Sequence, residues 1–153
     1  MTIYKKMSYL YGMITPLKLE DKASAKQLLQ ENELPFEDID EHLDHFLKFE
    51  QESHLAGIIG MENCGNSGLL RSLVVSEAFR DQGIASQLVS SLEKYAIDGG
   101  FKSLFLLTTT AESYFGRKGY QQIKREEVPN EIQSTKEFST LCPSSAVCMK
   151  KVL

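Results

Sequence analysis

The pattern of apolar and polar positions along the chain predicts two long helices. Within residues 21–31 the apolar side chains share one helical face, and Asp21 stands where an N-cap is expected. These apolar side chains are Ala25, Leu28 and Leu29. A second apolar stripe at helical spacing begins at Gly83 and stops at residues 98–100, because glycine accepts the left-handed conformation that ends a helix.

Apolar runs bounded by turn-forming residues predict a β-sheet. The runs are residues 46–51, 54–62, 69–75, 103–107 and 146–152, with a further strand after Gly119. Residues 63–66 predict a hairpin, and the last run is expected to close the sheet at its edge. Thr109 and Glu112 have the spacing of a capping box, which predicts a short helix through Lys118. Together, these helices and strands predict an α/β (α+β) fold with a mixed, mostly antiparallel sheet.

Composition narrows the class of protein without identifying an activity. At 153 residues the chain is expected to form a single domain, residues 1–153, with residues 1–12 as an arm or a crossing strand. A net charge of −4 argues against non-specific nucleic-acid binding, and no apolar run approaches the roughly 20 residues that span a bilayer. We expect no signal peptide and, with three scattered cysteines, no disulfide framework, so a cytoplasmic location is predicted.

The clearest chemical signal lies between the strand that ends at Val75 and the helix that follows Gly83. The first N–H groups of that helix, over residues 82–86, point outward at the positive end of the helix dipole and predict an anion site. Gly83 and Ala85 leave room for a bulky phosphate group, and Arg80 adds a positive charge. No Lys-Ser or Lys-Thr pair follows the glycine, which excludes a nucleotide P-loop.

This segment, LLRSLVVSEAFRDQGIASQLVSSLEKYA, resembles the strand, loop and helix with which the GNAT superfamily of N-acetyltransferases binds coenzyme A. Arg80, Gly83 and Ala85 stand on the family pattern Arg/Gln-x-x-Gly-x-Gly/Ala. The segment SLFLLTTTAESYFGRKGY is similar to the family's second element, a strand and a short helix ending in Gly-Phe or Gly-Tyr. The resemblance covers residues 13 to 124. It implies an acyltransferase that uses acetyl-CoA without a metal and has a GNAT-type sheet whose parallel central strands splay apart.

The resemblance also implies where acetyl-CoA binds. Pantetheine is expected on the backbone of Leu73 and Val75, and the Val75 N–H is expected to stabilise the oxyanion. Pyrophosphate is expected at the helix start, on Arg80, Gln82, Gly83, Ile84, Ala85 and Ser86. The base that takes the proton of the amine is not fixed by the sequence: Glu62 is one candidate, and Glu50 and Glu52 stay open.

One position departs from the family pattern. The tyrosine that often protonates the leaving thiolate lies four residues before the glycine, and in this chain that residue is Phe115. Phe115 is therefore expected against the thioester end of the cofactor, with Tyr114 on the neighbouring position that is usually packed in the core. The proton then comes from solvent or from another hydroxyl, such as that of Tyr114, Ser113 or Thr110.

The segment REEVPNEIQSTKEFSTLCPSSAVCMKK resembles a branch of small acetyltransferases found with arsenic-resistance genes and related to short N-acetylglutamate synthases. This implies a small acceptor with an amine beside a carboxylate, enclosed on the substrate side by residues 125–153. Arg71 is the expected partner of the carboxylate, because residues two apart share a strand face and Arg71 precedes Leu73 by two. Thr108 and Thr109 are further contacts. The alternative is that Arg71 pairs with an acidic neighbour such as Glu62 and braces the sheet.

Several alternatives stay open. Cys142 and Cys148 lack nearby histidines and predict no zinc site, which leaves a disulfide, arsenic capture or packing as their role. The absent tyrosine keeps a non-catalytic acetyl-CoA sensor as an alternative to an enzyme. A protein lysine or N-terminal acetyltransferase is the alternative to acetylation of a small molecule. A homodimer is left open as well.

Overall fold

A computed structural model describes residues 13–141 and 145–153 of the chain. The strands within these residues are β1 (Met13–Pro16), β2 (Phe46–Gln51), β3 (His54–Cys64), β4 (Ser67–Val75), β5 (Ser103–Thr108), β6 (Gln121–Ile123) and β7 (Val147–Val152). The α-helices are α1 (Lys22–Glu31), α2 (Ile84–Asp98), α3 (Glu112–Arg117) and α4 (Asn130–Gln133). A π-helical segment, Glu137–Leu141, follows α4. None of the helices described is both long and apolar enough to cross a membrane.

The strands follow the order β1-β2-β3-β4-β5-β7-β6 in one sheet. β4 and β5 run parallel, whereas the pairs β1–β2, β2–β3, β5–β7 and β6–β7 are antiparallel. The parallel ladder runs from Ser67 paired with Ser103 to Leu69 paired with Phe105, although both strands continue beyond it. The predicted mixed, mostly antiparallel sheet with splayed parallel strands is therefore confirmed.

The prediction that the last strand closes the sheet at its edge is wrong. β7 lies between β5 and β6, so that Met149 pairs with Leu106 on one side and with Gln122 on the other. β6 is the edge strand instead, and its two glutamines, Gln121 and Gln122, are exposed. A short polar strand suits an edge, because its outer backbone groups can be solvated and do not invite pairing with another chain.

The described residues divide into two compact units, of which the first comprises residues 13–61 together with residues 72–92. Its core packs α1 against strands, and the predicted apolar face of α1 is confirmed because all three residues are buried. The buried residues of this core are Leu17, Ala25, Leu28, Leu29, Ile39, Phe46, Ile58 and Val74. Phe46 pairs with Gly60 across β2 and β3, and its ring fills the space where a side chain at position 60 would lie.

Asp21 precedes α1 as predicted, but its carboxylate makes no cap hydrogen bond to that helix. Its Oδ2 accepts a hydrogen bond from the Lys18 backbone N–H at 2.9 Å and lies 2.8 Å from Lys48 Nζ. Asp21 is therefore the N-cap residue of α1 as predicted, but its side chain does not cap that helix, because Asp21 also ends a one-turn 3-10 helix, Leu19–Asp21, whose own amino-terminal end takes the carboxylate.

The second unit comprises residues 62–71, 93–141 and 145–153. Its core joins β4, β5 and β7 to the segment after β6 through Leu69, Phe105, Val128, Ile132 and Cys148. Polar contacts fix the same segment, since Gln133 Nε2 donates to the Val128 carbonyl at 2.6 Å and Arg125 donates to the Ala146 carbonyl at 3.0 Å. Residues 125–133 are thus packed against the sheet by both apolar and polar contacts.

The short helix expected after β5 is present as α3, but the predicted capping box is wrong. The N-cap position of α3 is Ala111, which has no capping side chain, and Thr109 lies in the bend before it. Thr108 Oγ1 instead accepts a hydrogen bond from the Ala111 N–H at 2.9 Å. The hydroxyl that supports this turn therefore comes from the last residue of β5.

Candidate functional site

The loop between β4 and α2 is shaped by two left-handed residues, Asp81 (φ 64°) and Gly83 (φ 76°). The Gly83 carbonyl accepts a hydrogen bond from the Gln87 N–H at 3.2 Å, so the hydrogen-bond ladder of α2 begins at this glycine. A Cβ placed on Gly83 would meet no atom within 4 Å. The amino-terminal end of a 15-residue helix is therefore open at Gly83, and such an end can bind an anion.

The structure brings the predicted pyrophosphate-binding residues together at this helix start. Gln82 and Gly83 are exposed, and Ala85 and Ser86 are partly exposed. Ile84 is 2% exposed, so its side chain belongs to the core and only its backbone can serve a ligand. The contacts of these residues with a cofactor stay a prediction.

Arg80, the predicted cationic residue of the loop, is exposed and held by two hydrogen bonds. Its Nε donates to the Val75 carbonyl at 3.0 Å, and its Nη2 donates to Asn32 Oδ1 at 2.6 Å. Asn32 in turn donates through Nδ2 to the Leu28 carbonyl at 2.9 Å, at the end of α1. Sequence reasoning missed Asn32, because a residue that follows a helix looks like an ordinary helix end.

β4 contains an irregularity at Ser72, whose φ of 61° is left-handed. Beyond it, Leu73 and Val75 are partly exposed while Val74 is buried. A left-handed residue interrupts the regular pleat of a strand. The alternation that was expected to put Arg71 on the face of Leu73 does not extend across Ser72, so that argument for the role of Arg71 loses its basis.

Arg71 and Glu62, the predicted carboxylate partner and the predicted base, lie in contact with each other. Arg71 Nη1 donates to Glu62 Oε2 at 2.9 Å, and Arg71 Nε lies 3.5 Å from Glu137 Oε1. The side chains of Arg71, Glu62 and Glu137 are 0%, 5% and 6% exposed. The structure therefore contains the ion pair named above as the alternative for Arg71. Glu137 was missed, since its segment has no period that would have placed it beside β4.

The two threonines proposed as acceptor contacts differ in their surroundings. Thr108 is partly exposed at the end of β5, and its hydroxyl accepts the Ala111 hydrogen bond described above. Thr109 is exposed in the following bend. Contacts of either residue with an acceptor stay a prediction.

Phe115 is 5% exposed and stands at the centre of an aromatic cluster. Its ring makes edge contacts with Tyr114 and Tyr120, with centroid distances of 5.3 and 5.5 Å. Tyr114 is partly exposed, so the expected order of burial is reversed: Phe115 is the more deeply packed of the two. The Tyr120 hydroxyl donates to Glu93 at 2.9 Å, and burial together with the Glu93 charge raises the pKa of Tyr120.

Cys64 and Cys148 are free thiols, and Cys142 lies outside the described residues. Burial raises the pKa of Cys64 to about 11, and the charges of Glu62 and Glu131 act in the same direction. Burial also raises the pKa of Cys148, against the opposing effect of Arg125. Thiols with such pKa values are weakly reactive near neutral pH.

Comparisons with known proteins identify the family and the fold of the chain. A family model described as acetyltransferase (GNAT) family matches residues 10–120. An uncharacterized N-acetyltransferase of Chlorobaculum tepidum is 35% identical over 79 residues, which make up 52% of this chain and 48% of that protein. The match therefore spans about half of the curated relative.

Solved structures share the fold at low sequence identity. N-acetylglutamate synthase from Neisseria gonorrhoeae, in complex with coenzyme A and N-acetyl-glutamate, superposes with a TM-score of 0.80 at 20% identity. That superposition covers 92% of this chain and 35% of the synthase. A Mycobacterium tuberculosis protein, solved with CoA and the ligand NLQ, has a TM-score of 0.79 at 20% identity over 92% of this chain and 99% of its own.

Proposed function

Because the chain belongs to the acetyltransferase (GNAT) family, we propose that it transfers an acetyl group from acetyl-CoA to the amine of a small, amino-acid-like acceptor. Acyltransferases of this family use acetyl-CoA and no metal. The observation that carries the proposal is the open, left-handed Gly83 at the head of α2. That position offers helix-start N–H groups to the diphosphate of coenzyme A, with the Arg80 charge beside them.

Acetyl-CoA supplies an acyl group activated as a thioester, and the chain's residues orient the reactants and move protons. We assign pantetheine to the backbone of Leu73 and Val75, with the Val75 N–H facing the developing oxyanion. Glu62 is the proposed base that takes a proton from the acceptor's ammonium, directly or through water, so that the neutral amine attacks the thioester. Phe115 has no hydroxyl, so the thiolate takes its proton from solvent or from Tyr114.

The acceptor is the finer part of the proposal. Support comes from the Neisseria synthase, whose structures contain N-acetyl-glutamate in one case and L-arginine in another. We assign the acceptor's carboxylate to Arg71 and its remaining contacts to Thr108, Thr109 and the segment 125–153. We further place the reaction in the cytoplasm, which the free thiols of Cys64 and Cys148 support. We also propose that the chain is related to the small acetyltransferases found with arsenic-resistance genes.

One observation favours a second candidate function, that of a sensor that binds acetyl-CoA without catalysis. The phenylalanine at position 115 removes the hydroxyl that often protonates the leaving thiolate, as expected of a domain that binds acetyl-CoA without turning it over. Such a sensor would bind the cofactor at the same loop. Binding alone therefore does not separate the two functions, and release of coenzyme A does.

The deciding experiment incubates the protein with acetyl-CoA and a panel of amines, and it measures free CoA thiol. The panel contains α-amino acids, their decarboxylated amines, arsenic- and phosphorus-containing analogues, and peptides with a lysine or a free amino terminus. We expect CoA release with one or more small amines that carry a carboxylate or a similar anion. Release with peptides alone would identify a protein acetyltransferase. Calorimetric binding of acetyl-CoA without release by any amine would identify the sensor.

A further inference from the structure

The guanidinium of Arg71 is held between two buried carboxylates, one on β3 and one in the carboxyl-terminal segment. Glu62 Oε2 lies 2.9 Å from Nη1, and Glu137 Oε1 lies 3.5 Å from Nε. We propose that Glu137 occupies the place on Arg71 that the acceptor's carboxylate takes, and that acceptor binding displaces Glu137 together with the segment Glu137–Leu141. This inference rests on the proposed function and names the residue that sets its preference for a carboxylate.

Charge favours exchange over addition. The buried Arg71 guanidinium already contacts two carboxylates whose side chains are almost fully buried. A third carboxylate would bring a further negative charge into a place where desolvated charge is costly. Exchange keeps the number of carboxylates constant, because one leaves for water as another arrives. The acceptor's carboxylate is therefore expected to replace one of the two glutamates.

The two contacts are unequal, and the looser one belongs to Glu137. A distance of 2.9 Å is that of a charge-assisted hydrogen bond, whereas 3.5 Å lies beyond the usual range. Arg71 binds a carboxylate through two parallel hydrogen bonds only if neighbouring N–H groups of its fork are available. Displacing Glu137 removes its contact with Nε and leaves the Glu62 contact with Nη1 in place.

The surrounding backbone points to the same exchange. Glu62 lies inside β3, an 11-residue strand, so its movement would disturb the sheet. Glu137 is the first residue of the π-helical segment. The hydrogen bonds that hold this segment are local ones, from Phe138 N–H to Thr135 Oγ1 at 3.2 Å and from Ser139 N–H to the Thr135 carbonyl at 3.0 Å. π-Helical turns are rare and often mark functional positions. The segment Glu137–Leu141 is the part that can move.

The test compares Glu137→Gln with wild type. The glutamine keeps the size of the side chain and removes its charge. The matched control is Glu20→Gln, an exposed glutamate of the 3-10 helix Leu19–Asp21, which lies outside the residues assigned to the acceptor and to acetyl-CoA. The acceptor is the α-amino acid that gives the fastest CoA release in the panel above, used beside its decarboxylated amine. Michaelis constants are measured for both, together with hydrogen exchange of the amides over residues 137–141.

In Glu137→Gln we expect the KM for the amino acid to fall about tenfold, with the KM for the amine and for acetyl-CoA unchanged. We also expect faster amide exchange over residues 137–141 in the variant alone, and in wild type when the amino acid and coenzyme A are added. Glu20→Gln should change none of these values.

Two outcomes would contradict the exchange inference and the amino-acid acceptor, respectively. If wild type uses the amino acid but Glu137→Gln leaves its KM within twofold, Glu137 is an anchor of the segment and the exchange is wrong. If no α-amino acid releases CoA, or the acid and the amine are used equally, the amino-acid acceptor itself is wrong, and the exchange inference falls with it.

Discussion

Asn32 and Arg80 are joined by a 2.6 Å hydrogen bond from the guanidinium to the side-chain oxygen of the asparagine. Asn32 directly follows α1 and is fixed by its own hydrogen bond to the Leu28 carbonyl. Arg80 is fixed further by the Val75 carbonyl. The charge of an exposed arginine is therefore held at the loop before α2, which reduces the conformational entropy that binding an anion would otherwise remove.

The first prediction concerns Asn32→Ala. We expect its calorimetric affinity for coenzyme A to fall about fivefold to thirtyfold, because a lost hydrogen bond to a charged group is worth roughly 1–2 kcal/mol. Arg80→Ala should cost more, and the double variant should be no worse than Arg80→Ala alone. Gln30→Ala, an exposed change near the end of the same helix, is the control. Additive losses in the double variant would show that Asn32 does not act through Arg80.

The second prediction compares two glycines with similar backbones. Gly83 (φ 76°) and Gly65 (φ 78°) both leave open space where a Cβ would lie. Glutamate at either position should destabilise the fold by about 1–2 kcal/mol, because the left-handed conformation strains a residue with a Cβ. Only Gly83→Glu should abolish coenzyme A binding, since it adds bulk and negative charge at the proposed diphosphate site. Unchanged affinity in Gly83→Glu, measured by calorimetry, would place the cofactor elsewhere.

Local patterns in the sequence predicted most of the fold correctly. The apolar face of α1, the bounds of β2 and the start of α2 follow from contacts within a few residues, so the hydrophobic period contains them. The position of β7 does not follow from such local contacts, because its insertion between β5 and β6 depends on pairing partners far along the chain. A continuous apolar strand is compatible with either position, and only the polar character of β6 favours the observed order.

The candidate site likewise contains residues that local sequence patterns predicted and residues that they did not. The loop with Arg80 and Gly83 is contiguous, and a strand, a glycine and a helix in succession were enough to predict it. The pairing of Arg71 with Glu62 could be named as an alternative because a hairpin joins β3 and β4. Glu137 could not be predicted, since a charged residue in an aperiodic segment is normally exposed. Buried ionic partners from irregular segments leave no local pattern.

The third prediction concerns the contact between Gly60 and Phe46. A Cβ on Gly60 would lie 2.6 Å from Phe46 Cε2 and closer to other atoms of the same ring. Gly60→Ala should therefore lower the free energy of unfolding by about 1–3 kcal/mol through overpacking. The second change Phe46→Leu should recover part of this loss, although alone it destabilises by removing ring contacts. Chemical denaturation measures all three variants. Additive losses in the double variant would rule out the proposed clash.

The fourth prediction concerns the reactivity of Cys64. With a pKa of about 11, roughly one molecule in 1,000 carries the thiolate at pH 8, against about one in ten for an ordinary thiol of pKa 9. Alkylation by iodoacetamide, followed at the Cys64 peptide, should therefore keep accelerating above pH 9 and level off only near pH 11. Glu131→Gln should shift this profile to lower pH, because it removes one of the charges that raise the pKa. A plateau close to pH 9 would contradict the assigned environment.

The last prediction concerns Arg71→Lys, which keeps the positive charge and removes the planar fork. A lysine supplies one compact ammonium and cannot hold a carboxylate through two parallel hydrogen bonds, so we expect the KM for an amino-acid acceptor to rise about tenfold or more. Affinity for coenzyme A, measured by calorimetry, should be unchanged. The melting temperature should fall as well, because Arg71 contacts both Glu62 and Glu137 in a buried place where incomplete pairing is destabilising. The fall in stability alone is what a purely bracing role requires, so the Michaelis constant decides. If Arg71→Lys melts earlier but uses the amino acid and its decarboxylated amine with the same KM values as wild type, Arg71 only braces the sheet.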